Sequence, residues 1–294
     1  MNLDKFILVM QYDGTLYHGF QWQAGLPTIQ AELEQAIKRT CGRSSRVMAA
    51  SRTDAGVHAK GQVVSFWAKP TLSPMTLVKA LNYYLPNDIS VKAAYRGSNN
   101  FNVRGDALSR EYCYYILNSD TRSPFSQRFA LFMPKMLNIE VMKDACQLIQ
   151  GEHDFASFAT SSNGIRSTRR NVYKTEIDKK GDFVIFHIVA DSFLPHQVRN
   201  TIGLLIRLGL GKTDIRDLRN IMEVKIPGLV GPTASACGLW LMKVNYPEPL
   251  CHLELFDCHS EGAKQPKNLA QGKLRKESHS AQGRLCEESK NENL

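Results

Sequence analysis

The sequence has no long apolar run, no paired cysteines and no glycine-rich phosphate loop, and each shortage excludes a class of protein. Its longest apolar stretches, Phe6 to Met10 and Gly203 to Ile206, fall far short of the roughly 20 residues a bilayer-spanning helix needs. Asp4 and Lys5 interrupt any secretory-signal pattern near the start. No membrane association is expected, and a cytoplasmic location is. The seven cysteines are an odd number with no Cys-x-x-Cys spacing, which argues against a disulfide framework and a structural zinc site. Cys251, His252, Cys258 and His259 cluster in sequence but fit no standard ligand spacing, and they are read as incidental. Gly211-Lys212-Thr213 resembles the end of a phosphate loop, yet Ile206 stands where the earlier glycine is required. Neither Gly-x-Ser-x-Gly nor His-Glu-x-x-His occurs. The expectation is chemistry without cofactor or metal.

What is present is an ordinary folded composition with a basic balance. The 294 residues are 43% hydrophobic and 22% charged, a length that fits one large domain or two ordinary ones. Lys plus Arg number 37 against 28 Asp plus Glu, a net charge of +9, which points towards a polyanionic partner.

Hydrophobic periodicity organises the chain into a repeated pattern. Phe6 to Met10 reads as a buried strand ended by the turn pair Asp13-Gly14. Thr28 is placed as the N-cap of a helix carrying Ile29, Leu33, Ala36 and Ile37 on one face. A short strand at Arg46 to Ala50, a loop, and the β-branched and aromatic run Val63 to Trp67 follow. Ser73-Pro74 opens a helix with Leu77, Ala80, Leu81 and Tyr84 facing inwards, and Ile89 to Tyr95 closes the unit. The order is β-α-β-β-α-β. It recurs through the strand Glu111 to Leu117, a helix capped by Asn138 with Val141, Ala145, Leu148 and Ile149 inwards, and a hairpin of Val172 to Ile177 with Phe183 to Val189. A helix from His196 to Leu208 with Val198, Ile202, Leu205 and Ile206 on its inner face, a short helix near Asp214, and the strand Gly238 to Val244 complete it. The expected fold is α+β, two ferredoxin-like units side by side around a central cleft. The units are placed at residues 1–105 and 106–250. Residues 251–294 are expected to form a disordered polar tail, since they lack the apolar surface to offset ordering.

Chemistry concentrates in Ser51-Arg52-Thr53-Asp54-Ala55-Gly56-Val57-His58-Ala59, a charged loop between two apolar strands. An Asp that merely caps its own turn gives the same local pattern, so the loop alone leaves both readings open. Further segments break the tie. Ser51 to Ala59, Tyr12 to Gln21, Phe101-Asn-Val-Arg104 with Ser109-Arg110-Glu-Tyr112-Cys-Tyr114, Phe193-Leu-Pro-His-Gln-Val-Arg199 with Gly203, and Gly238 to Leu241 together resemble, in order, the motifs of the TruA-type tRNA pseudouridine synthases.

The resemblance implies isomerisation of uridine to pseudouridine in the anticodon arm of tRNA, at positions 38–40, by a homodimer that needs no cofactor. It places the carboxylate nucleophile at Asp54, its cationic partner at Arg199, and a tyrosine that contacts the target base at Tyr112. It matches Arg52 to an arginine that engages RNA as the target nucleotide leaves the stack. Arg104 and Arg110 are expected to line the RNA cleft, as is the run Arg166 to Arg170, and His58 is placed with the substrate-binding residues while bracing the loop. Asn102 departs from the family pattern, where His is usual. Two other readings use the same residues. A non-catalytic RNA-binding protein has no use for a carboxylate facing RNA phosphates. A hydrolase pairing Asp54 with Asp13 predicts action on sugars and indifference to tRNA.

Overall fold

A computed structural model describes residues 3–160 and 164–247. The expected polar tail, with Cys251, His252, Cys258 and His259, lies outside the described residues. The first half runs β1 (Asp4–Tyr12), α1 (Ile29–Cys41), β2 (Met48–Ala49), β3 (His58–Ala68), α2 (Pro74–Tyr84) and β4 (Ile89–Gly97). The second runs β5 (Ser109–Asn118), β6 (Leu131–Met133), α3 (Ile139–Ile149), β7 (Gly151–Asp154), β8 (Arg169–Lys180), β9 (Phe183–Ala190), α4 (Gln197–Gly209), α5 (Ile215–Val224) and β10 (Leu239–Asn245). No described helix is long and apolar enough to cross a membrane.

Helix starts follow local chemistry. The side chains of Thr28, Ser73 and Asn138 each accept from a backbone N–H of the first turn, and Asp214 forms a reciprocal capping box with Asp217. The strands assemble into a single ten-stranded sheet in the order β4-β1-β3-β10-β5-β9-β8-β7, with β2 on β3 and β6 on β5. Each half alone has the ferredoxin-like order, β4-β1-β3-β2 and β10-β5-β9-β8. The join depends on the shortness of β2. It pairs only with Val64 and Ser65 of β3, leaving the start of that strand free. There His58 and Ala59 take Trp240 and Leu241 of β10 in parallel. Leu241 in turn pairs with Tyr112 of β5. Tyr112 therefore sits two strand spacings, about 10 Å, from the end of the Asp54 loop.

Four details differ from the sequence expectation. β3 starts at His58 rather than Val63, because pairing with β1 at Gln62 and Ala59 and with β10 at Ala59 and His58, invisible to local pattern, extends it. Helix α4 is buried on nearly every side, including Asn200, Thr201, Leu204 and Leu208, and not along one stripe. Asn200 finds partners within the core, donating to the Phe158 carbonyl at 2.7 Å and accepting from Thr233 at 2.6 Å. The inner face of α3 is Met142, Ala145, Cys146 and Ile149, so Val141 and Leu148 are only partly covered. Tyr84, at the end of α2, is exposed.

Candidate active site

The loop carrying Asp54 is held from three sides. Within it, the Val57 N–H donates to the Asp54 carbonyl at 3.1 Å, closing a turn. From the β1–α1 connection, the Phe20 N–H donates to the Thr53 carbonyl at 3.0 Å, while Tyr17 accepts from the Gly56 N–H at 3.2 Å. From the sheet, buried Gln62 donates to the Ser51 carbonyl at 2.7 Å, and the Tyr12 and Thr53 hydroxyls lie 2.8 Å apart. Two glycines permit this close approach. A Cβ on Gly14 would lie 2.0 Å from the Val57 carbonyl oxygen, and one on Gly19, whose φ is +89°, 2.7 Å from that of Thr53.

The opposite wall comes from the segment that enters α4. His196 caps the helix with a left-handed backbone, φ +60°, and the Gln197 side chain accepts from the Leu194 N–H at 2.8 Å. One turn in, Arg199 spans two partners: Nε donates to the Ala234 carbonyl at 2.9 Å and Nη1 to Asp54 Oδ2 at 3.1 Å. The Asp54 side chain is 31% exposed against 17% for Arg199, so the carboxylate is the open side of the pair. His196 Nε2 stands 3.5 Å from the same oxygen. On β5, buried Tyr112 shares a hydrogen bond with Ser51 at 2.8 Å and meets the Phe193 ring edge-to-face at 5.3 Å. These groups line a cavity of about 550 Å³ drawn from both halves of the chain.

The structure thus gathers Asp54, Arg199, Tyr112, Arg52, Arg104 and Arg110 around one cavity. Arg52 and Arg104 are exposed and face it with their charge available. Asn102 holds the second of these in place, its side-chain oxygen accepting from the N–H groups of Arg104 and Gly105 at 3.1 and 3.0 Å. Arg110 behaves differently. It is buried, and its guanidinium is consumed by the carbonyls of Ala107, Asp191, Ala50 and Arg104, so it ties the cavity's segments together and offers little to RNA phosphates.

His58 requires a correction. It is fully buried, lies outside the cavity, and stacks on Trp240 at 4.5 Å. Nδ1 accepts from the Gly14 N–H at 3.1 Å, and Nε2 donates to the Arg128 and Cys237 carbonyls at 2.9 and 3.2 Å. Burial lowers its pKa, keeping a neutral ring that braces the loop from behind without touching substrate. The carboxylate pair of the hydrolase reading is absent too: Asp13 is tied to Thr15 and Arg128 and does not line the cavity. Nor do Arg166, Arg169 and Arg170 line it; Arg169 is paired with Glu152 at 2.9 Å. Sequence reading missed His18, Gln21, Gln23 and Ser51 as lining residues. His18, Gln21 and Ser51 sit inside motifs already singled out, and Gln23 lies two residues past one of them.

A family model described as tRNA pseudouridine synthase matches residues 8–104 and 145–247. The chain belongs to the tRNA pseudouridine synthase family. It is 39% identical over 246 residues to the tRNA pseudouridine synthase A of Syntrophomonas wolfei subsp. wolfei, covering 84% of this chain and 99% of that protein. To the protein of the same name from Francisella tularensis subsp. mediasiatica it is 37% identical, covering 84% and 95%. Among solved structures, a chain from the crystal structure of a Cbf5-Nop10-Gar1 complex aligns at 16% identity over 81% of this chain and 49% of that one, with a TM-score of 0.34. That likeness is too loose to add to the assignment.

Membership makes the chain an isomerase that converts uridine in tRNA to pseudouridine. Asp54 and Arg199 lie in different matched stretches, 145 residues apart. Tyr112 falls between the stretches, and its place at the site rests on geometry. Burial pushes its phenol up to about 12, with the Asp54 charge acting in the same direction and the Ser51 hydrogen bond against it. The Tyr112 phenol therefore keeps its proton at neutral pH beside the Asp54–Arg199 pair.

Proposed function

We propose that this synthase acts on the anticodon arm of tRNA, at positions 38–40, with Asp54 as the nucleophile, and works as a homodimer in the cytoplasm without cofactor. One observation carries the assignment of the site. Asp54 and Arg199 approach to 3.1 Å from opposite walls of a cavity that also holds Tyr112. In the reaction the bond between C1′ and N1 breaks, the uracil turns over, and C5 bonds to C1′. C5 then loses its proton and N1 ends protonated, so atoms and charge balance without redox chemistry.

A cavity of about 550 Å³ accepts one nucleotide and not a stem, so the target must leave its stack. Exposed Arg52, two residues from Asp54, is positioned to fill the phosphate-facing side of that extruded state, and Arg104 to hold the neighbouring backbone; such contacts orient RNA without reading its sequence. The carboxylate of Asp54 meets the nucleotide with Arg199 fixing it from behind. Tyr112 offers the base its ring and, as a phenol that stays protonated, a hydrogen bond. It keeps its own proton and is not a standing base. The two halves, residues 1–105 and 106–250, supply opposite walls of the site.

Unmodified tRNA transcripts with uridine at position 38, 39 or 40 in turn, mapped for pseudouridine after incubation with the protein alone, test the placement. Modification confined to these positions supports it. Modification elsewhere in the tRNA contradicts it, and salt-sensitive binding with no modification of any transcript would leave an RNA-binding protein.

A further inference from the structure

Beside the nucleophile stands a residue with a left-handed backbone. His196 is one of only two non-glycine residues among those described with a positive φ, the other being Lys225 at the C-cap of α5. Left-handed backbone is unfavourable for a residue with a Cβ, and where it persists near a site it holds a side chain that a relaxed backbone would aim elsewhere. Here that side chain is the imidazole facing Asp54.

We propose that His196 is a positioning residue for the nucleophile: with Arg199 it fixes one carboxylate oxygen of Asp54 and leaves the other free to meet the nucleotide. This rests on the reading of Asp54 given above. The geometry has three parts. Arg199 Nη1 and His196 Nε2 converge on the same atom, Oδ2, at 3.1 and 3.5 Å. Among the described residues Oδ1 has no hydrogen-bond partner, and it is the oxygen left for the cavity. Behind the imidazole, Nδ1 lies 2.6 Å from the Thr160 hydroxyl. A carboxylate opposite Nε2 favours the tautomer with its hydrogen there, and the Thr160 hydroxyl then donates to Nδ1. Thr160, His196 and Asp54 form a line in which each member orients the next.

The chain places this line where it acts through position. At 3.5 Å His196 Nε2 is the nearest donor to the carboxylate after Arg199 Nη1. The His196 side chain is 37% exposed, so it faces the cavity and is not spent on core packing. A glycine would adopt the same backbone without strain.

Three variants test the proposal by single-turnover tritium release from uridine C5 at saturating enzyme, with tRNA affinity and melting temperature measured alongside, and with wild type and Asp54→Asn as references. His196→Gly relaxes the backbone and removes the ring. Its rate is expected to fall about tenfold to a hundredfold, the worth of one hydrogen bond to a charged group, with tRNA affinity unchanged and melting temperature not lowered. His196→Gln restores a donor at the Nε2 position and is expected to recover most of the rate. Thr160→Val removes the tether and is expected to fall between the two. A His196→Gly rate equal to wild type overturns the proposal, as does a loss seen only in tRNA affinity, which would make His196 a substrate contact. Should His196→Gly fail to fold, an undiminished rate for Thr160→Val overturns it. A wild-type protein that releases no tritium overturns the reading of the site itself.

Discussion

Replacing Arg199 with lysine keeps a positive charge and removes the shape that uses it. The guanidinium serves two acceptors at once, the Ala234 carbonyl at 2.9 Å through Nε and Asp54 Oδ2 at 3.1 Å through Nη1. A lysine ammonium is a single point on an unbranched stem, so it reaches one of the two. Coulomb's law at 3.1 Å with an effective dielectric constant of about 20 sets an upper bound of about 5 kcal/mol on the ion pair. Asp54 is 31% exposed, and water screening takes most of that away. The net loss is better taken from hydrogen bonds to charged groups, about 2 kcal/mol, which corresponds to a rate lower by about thirtyfold. Binding of tRNA should hardly change, because Arg199 is only 17% exposed and points at Asp54 rather than outwards. Single-turnover tritium release gives the rate and filter binding the affinity. Arg199→Met should fall further and also melt earlier, by about 1–3 kcal/mol, because the Ala234 carbonyl then loses its donor. A lysine variant as fast as wild type, or one whose whole defect is in tRNA affinity, would refute the assignment of Arg199 to the carboxylate.

Three other perturbations probe the scaffold. Gly14→Ala places a methyl 2.0 Å from the Val57 carbonyl oxygen; it should cost about 1–3 kcal/mol and displace the Asp54 loop, and an unchanged melting temperature with full activity would contradict the packing described. His58→Ala removes a buried ring that donates to two carbonyls and should lower stability by about 2–4 kcal/mol while leaving the tRNA affinity of the folded fraction intact; normal melting with weakened tRNA binding would return His58 to the substrate. Alkaline titration addresses Tyr112, whose phenol burial raises from 10.0 to about 12. A folded-state pKa above the unfolded one contributes stability that is complete below pH 10 and is lost as pH rises towards 12. For this residue alone the loss approaches about 2–3 kcal/mol above pH 12 and is about 1 kcal/mol between pH 9 and 11; chemical denaturation of wild type and Tyr112→Phe at those two pH values that showed the same pH dependence in both would contradict its burial.

Local sequence made the helix starts legible, because Thr28, Ser73, Asn138 and Asp214 each satisfy backbone N–H groups within their own first turn. The order of strands within each half followed from periodicity for the same reason. The seam did not. That β10 inserts between β3 and β5 depends on the brevity of β2, and no local pattern announces where a two-residue strand stops. The burial of His58 and the extension of β3 to include it are consequences of that seam. Among the site residues, Asp54, Arg199 and Tyr112 were found through motifs. That they reach one cavity is a tertiary fact, carried by a parallel pairing of two residues, His58 with Trp240 and Ala59 with Leu241. Arg110 was read as a cleft cation because charge is visible in sequence, whereas the four carbonyls that occupy it come from separated segments. The weight of His196 lies in its backbone, and a left-handed φ at a histidine leaves no mark in composition or spacing.

Tritium release from C5-labelled uridine in an unmodified tRNA transcript, compared between wild type and Asp54→Asn, tests the central claim most directly. Asp54→Asn keeps the size and nearly the shape of the side chain 3.1 Å from Arg199 and removes only its charge and nucleophilicity. The account predicts stoichiometric release by the wild type without added cofactor, and no release by the variant although it binds tRNA with undiminished affinity. Release by Asp54→Asn at a rate near that of the wild type would contradict it.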